Sequence, residues 1–125
     1  MTDNDANSVQ SAENADLNQD FVSVARDLAA ISAIEILGLH AVDLMTAAAV
    51  KLGQFEGTEV DLAEARILIH ALAGFVDAAA ADLGHHHAAP IRDGLQQLQR
   101  AFKELSEHPD APGAGPGEKY TGPVY

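Results

Sequence analysis

The chain contains no cysteine and no tryptophan, and aromatic residues make up only 5% of its 125 positions. Without cysteine there is no disulfide framework, no zinc ribbon and no thiol nucleophile. Basic residues are also scarce: 7 Lys and Arg stand against 19 Asp and Glu, for a formal charge of −12. Phosphate-backbone recognition needs clustered Lys and Arg, so this balance argues against DNA as a partner. Loop signatures for nucleotides or acyl transfer are missing as well. There is no GxxxxGK[ST], no GxGxxG following a strand and no GxSxG. A basic start followed by an apolar core is absent from residues 1–20, which hold Asp3, Asp5, Glu13, Asp16 and Asp20, so no secretory signal is expected there. The longest apolar stretch, Leu28 to Leu52, is broken by Glu35, His40, Asp43 and Lys51, unlike a clean membrane span. These readings together predict a soluble cytoplasmic protein.

What the chain does have is apolar residues at 47%, too many for a wholly disordered polypeptide. Alanine occurs 24 times, mostly between residues 25 and 89, and no strand-like alternation competes with helix. The composition changes at both ends. Residues 1–19 are acidic and polar, and residues 106–125 carry four of the five prolines and four of the ten glycines. Both ends are expected to be disordered tails (1–19 and 107–125) around a helical domain at 20–106.

Within that domain the fold class reads as all-α, a small bundle of three long helices at about 33–52, 61–83 and 90–106. Leu62, Ala65, Ile69, Leu72, Val76, Ala79 and Leu83 step by alternating threes and fours, the stripe of a helix with one buried face. Asp61 and Glu64 have capping-box spacing, and Gly84 suits the residue past the helix end. Ile91, Leu95, Leu98, Phe102 and Leu105 make a second stripe, with Pro90 in the first turn. In the earlier segment, Ile34, Leu37, Ala41, Leu44 and Ala48 form one stripe, while Ile36, Leu39, Val42 and Val50 lie off it. Ser32 and Glu35 mark a start near residue 33, and Gly53 marks the end. A helix apolar on more than one side is central, or shared with a second subunit as in a homodimer. Residues 21–30 (Phe21, Val24, Leu28) read either as a short separate helix or as a continuation.

Candidate chemistry is sparse. His85, His86 and His87, with Asp82 nearby, are weak candidates for a Zn²⁺ or Ni²⁺ site, since adjacent residues on a turn rarely converge on one tetrahedral ion. The alternative is a helix C-terminus, where imidazolium complements the helix dipole and can pair with Asp82. His40 and Asp43 share a helix face, but no nucleophile or third member accompanies them. His70, with Arg66 and Asp77, reads as a solvated face. Glu35 reads as a capping residue, and Met45 and Phe102 as core. No cofactor is implied.

Residues 113–117 read as a flexible Gly/Pro linker. Beyond it, Tyr120, Pro123, Val124 and Tyr125 offer contact area unusual for a disordered end. They are the candidate partner-binding residues, as a docking peptide or as a segment folded back over the wide apolar helix.

Several runs resemble a known family of small helical bacterial proteins, the domain-of-unknown-function family 1844. They are Ala47–Gly53, Asp61–Arg66, Ile69, Ala71–Gly74, Arg92–Leu95, Leu98 and Ala101–Phe102. Gly115 to Val124 resembles the tail of one branch, which extends the likeness over residues 26–125. His85–His87 and His70 depart from the family pattern. The resemblance implies no catalytic residues. In that branch, it implies genes placed near those for translation initiation and ribosomal proteins, hence a role linked to translation. The expectation is therefore a non-enzymatic cytoplasmic interaction or regulatory protein with an unknown protein partner. The competing expectation is a metal-binding protein or metal-dependent enzyme using the His85–His87 cluster.

Overall fold

The computed structural model describes the backbone of residues 2–125 and the side chains of residues 7–125; Met1 and the side chains of residues 2–6 lie outside it. Helices dominate: α1 (Thr2–Ala29), α2 (Ala33–Lys51), α3 (Leu62–Leu105) and a short α4 (Glu118–Thr121). No strand is present among the described residues; an isolated bridge joins Leu52 and Val60. The all-α bundle expected from periodicity is what forms. The chain divides into two compact units, one running through Ile36 and the other Leu37–Tyr125, with α2 beginning in the first and continuing in the second.

The first unit corrects the expectation of a disordered acidic tail followed by a short helix. Residues 2–29 form one continuous helix. No Gly or Pro occurs in the first 31 residues, so nothing interrupts propagation once the helix has started. Every side chain described from Asn7 to Ala30 is exposed. The helix ends in a tight turn in which the Ala30 N–H donates to the Asp27 carbonyl and the Ile31 N–H to that of Leu28, both at 3.2 Å. Ser32 Oγ then accepts from the Glu35 N–H at 3.2 Å. That cap starts α2 where the Ser32–Glu35 spacing predicts, and it settles that residues 21–29 do not continue into α2.

The second unit is built on α3, which is two helical arms, 62–83 and 85–105. Between them Gly84 has φ 77° and ψ 163°, a conformation that L side chains rarely adopt. The Arg66 guanidinium lies 4.9 Å from the centre of the Phe102 ring, so the start of one arm meets the end of the other and the arms form an antiparallel hairpin. The second arm begins five residues before the expected Pro90. One glycine makes the whole reversal, and Pro90 is accommodated inside the arm without the bond its N–H would have donated. At the other end of the first arm, Asp61 caps as expected, its carboxylate accepting from the Glu64 N–H at 3.2 Å.

The core follows the predicted stripes. Ala65, Ile69, Leu72, Val76 and Leu83 from one arm interdigitate with Ile91, Leu95, Leu98 and Phe102 from the other, and Ala41, Ala48 and Leu52 close one side. Leu105 falls off the end of its stripe and stays exposed. Gly94 leaves room for the tip of the Met45 side chain of α2. Both α2 and α3 are long and apolar enough to cross a bilayer by length and composition. The apolar residues of α3 supply most of the core, whereas only Ala41 and Ala48 of α2 are buried.

Candidate functional site

The second tail expectation also changes: residues 106–125 are a docked clasp, not a disordered linker. The segment leaves α3 through Ser106, whose N–H donates to the Lys103 carbonyl at 3.2 Å and whose hydroxyl donates to that of Phe102 at 2.7 Å. Asp110 then pairs with Arg66 at 2.8 Å, with the two side chains 31% and 44% exposed. A pair so open to solvent contributes about 0–1 kcal/mol and serves mainly as a positional tie. The glycine-rich stretch closes on itself. The Gly113 N–H donates to Glu118 Oε2 at 2.6 Å, and the Glu118 N–H donates to the Gly115 carbonyl at 3.1 Å.

Four features hold this clasp on the α3 hairpin. Gln99 is 4% exposed, and its Nε2 donates to the Pro116 carbonyl at 3.0 Å and to Thr121 Oγ1 at 3.1 Å. Both amide hydrogens are therefore engaged. Gly117, at φ 76°, sits so close to the first arm that a Cβ would lie 2.7 Å from Ala73 Cβ. Gly74 makes room for Tyr120, whose ring also meets His70 at 5.4 Å between centroids and a 49° tilt. Val124 is buried at the far end, with its carbonyl accepting from Lys103 Nζ at 3.3 Å. A cleft of roughly 350 Å³ remains beside the clasp, lined by Val76, Asp77, Arg92, Gln96, Thr121 and Pro123 among others. No buried side-chain nitrogen or oxygen among the described residues lacks a hydrogen-bond partner.

The four tail candidates therefore separate. Tyr120 and Val124 pack on the chain's own hairpin, Pro123 lines the cleft, and Tyr125 is 84% exposed beneath the Lys103 ammonium. The receiving surface is α3, not the wide apolar helix α2 that one of the two alternatives had the tail cover. Gln99, Gly74, Gly117 and His70 were not recognised from sequence as parts of this joint. Signals existed for two of them: Gln99 is a polar residue on the core stripe between Leu95 and Phe102, and Gly74 interrupts an Ala-rich helix with no turn to justify it.

The histidine cluster lands elsewhere than expected. His85, His86 and His87 open the second arm of α3, after Gly84, instead of closing the first arm. All three are exposed, as is Asp82. The rings of His86 and His87 meet edge to face at 5.4 Å. Among the described residues, no group of three or more His, Cys, Asp or Glu is placed to hold a metal ion. His40 and Asp43 lie exposed on α2, and Glu35 caps that helix.

No curated protein and no solved structure matches the chain. A family profile described as a domain of unknown function, DUF1844, matches residues 30–104, which spans α2 and nearly all of the α3 hairpin and stops before the clasp. With well over half its length inside that match, the chain belongs to the DUF1844 family.

Proposed function

We propose that the protein is a non-enzymatic interaction protein, in which the clasped α3 hairpin is the scaffold and apolar side chains on α1 and α2 engage a protein partner. One observation carries this reading. Leu17, Phe21, Val24 and Leu28 on α1 and Leu39 and Val42 on α2 are 45–81% exposed, while the α3 hairpin encloses a fully packed core. Exposed apolar residues recurring along a helix are a mark of interaction surfaces. Tyr125 adds an outward-facing aromatic ring, a residue type favoured at contact hot spots. The clasp supports the scaffold, so the tail's contribution narrows from a free docking peptide to its last residue.

The test is affinity capture with crosslinking from the native cell, using the wild-type chain, F21D/V24D and L39D/V42D. A partner retained by the wild type and lost with either variant, at unchanged helix content, is the expected result. Identical capture by all three removes the reading. The setting near translation implied by the resemblance is part of the same proposal, and co-sedimentation with ribosomal fractions checks it. A histidine-based metal site is the weaker reading, because among the described residues no group of three or more His, Asp or Glu is placed to hold an ion.

A further inference from the structure

The exposed stripe of α1 has a register. Leu17, Phe21, Val24 and Leu28 follow one another at intervals of four, three and four. That is the d-a-d-a spacing of a coiled-coil seam, which keeps its face toward a partner helix and differs from the wider stripe of a helix packed on a globular core. Continuing the same register backwards puts Asn14 at an a position, a placement that specifies pairing register in two-stranded coils.

The flanking positions are asymmetric. Glu13, Asp20 and Asp27 fall at the three g positions, and Ser11, Asn18 and Ala25 at the e positions. In a parallel pair each g residue faces an e residue of the partner helix. A second copy would therefore set Glu13 against Asn18 and Asp20 against Ala25, and gain no ion pair. An antiparallel copy would set acid against acid. Residues 1–31 carry six acids and one base. That charge also disfavours an anionic membrane surface and nucleic acid.

We propose that α1 is one half of a heterotypic parallel coiled coil, whose partner is a helix with apolar a and d positions and Lys or Arg at e. This rests on the interaction reading above and names the partner's chemistry.

The probe is a synthetic three-heptad peptide with Leu at a and d, Lys at e and Gln at g, and its counterpart with Glu at e. Binding to the full chain is measured by anisotropy. The Lys peptide should bind and the Glu peptide should not. Raising salt to about 1 M, where the screening length falls to about 3 Å, should weaken the complex. Charge attraction alone predicts that F21D/V24D, which adds two acids, binds the Lys peptide more tightly. The seam predicts a loss of about a hundredfold or more, since two apolar anchors vanish. D20K/D27K keeps the seam and should transfer preference to the Glu peptide.

Four results would each overturn the proposal. They are equal binding of both peptides, a chain that dimerises through the stripe, stripe-dependent binding to phosphatidylcholine vesicles, and strong amide protection of residues 17–28 in the unpartnered chain. The two readings fail separately. A cellular partner lost on F21D/V24D but indifferent to D20K/D27K defeats the charge assignment and leaves the interaction reading standing.

Discussion

Replacing Gly117 with alanine tests whether the clasp is held as described. The residue sits at φ 76°, where an L side chain costs about 1–2 kcal/mol. The new Cβ would also lie 2.7 Å from Ala73 Cβ, with Gln99 Nε2 at 3.1 Å, and relieving such a collision in a packed site costs about 1–3 kcal/mol. The combined strain is about 2–5 kcal/mol if the clasp stays in place. It has an escape, however. Release of residues 113–125 costs the burial of Val124, about 1.5 kcal/mol, and two hydrogen bonds from Gln99 of about 1 kcal/mol each. Strain and docking are thus of similar size, and G117A should let the clasp go while leaving the hairpin folded. The protein carries its own reporter for this event. It has no tryptophan, and its two tyrosines, Tyr120 and Tyr125, both lie in the clasp. Tyrosine fluorescence therefore follows clasp docking, and far-ultraviolet circular dichroism follows the helices. In guanidinium, G117A should lose the folded tyrosine signal at lower denaturant than wild type, while the helical transition keeps most of its midpoint. Superimposable transitions for both probes, at the wild-type midpoint, would refute the close approach of Gly117 to Ala73.

Three further outcomes follow from the same structure. Gln99→Leu leaves the Pro116 carbonyl without its donor and should weaken clasp docking by about 1–3 kcal/mol, read as an earlier tyrosine transition. Gly84→Ala meets no atom within 4 Å but keeps a φ of 77°, so the hairpin should lose about 1–2 kcal/mol by thermal unfolding, with the tyrosine transition moving down together with the helical one because the clasp docks on both arms. Hydrogen exchange should be much faster along α1 than along α3, because no described side chain from Asn7 to Ala30 is buried to support the helix; protection equal to that of Ile69 or Leu95 would contradict the exposure seen here.

The helical core was legible because it is local. Ile69, Leu72, Val76, Ile91, Leu95, Leu98 and Phe102 declare their faces by spacing alone, and Ser32 and Asp61 declare two starts by capping geometry. The errors arose where composition stood in for conformation. Asn, Asp and Ser in residues 1–19 suggested a mobile tail, yet with no breaker among them the chain continues as helix. Gly and Pro in residues 113–117 suggested a flexible linker. Here Gly117 is needed because only a residue without a Cβ fits against Ala73, and the Pro116 carbonyl is needed as an acceptor. Those demands come from partners 17 or more residues away, which no local window contains. The histidines were misplaced for a related reason. Gly84 suits the end of one helix, but it also leads directly into the next, which carries His85–His87 into a helical turn.

That single-residue reversal bears on how the chain folds. The loop that must close before the arms of α3 can touch is about as short as a helical hairpin allows, so little chain entropy opposes the first contacts across it. Contacts of low sequence separation form early, which makes the region around Leu83 and Ala88 the expected nucleus, with pairing advancing from there toward Arg66 and Phe102. The clasp cannot precede this advance. Its receptor, the surface of Ala73, Gly74 and Gln99, exists only once both arms have met. Docking of residues 113–125 is thus the closing step of assembly, and truncation of Val124 should hasten unfolding while leaving the folding rate nearly untouched.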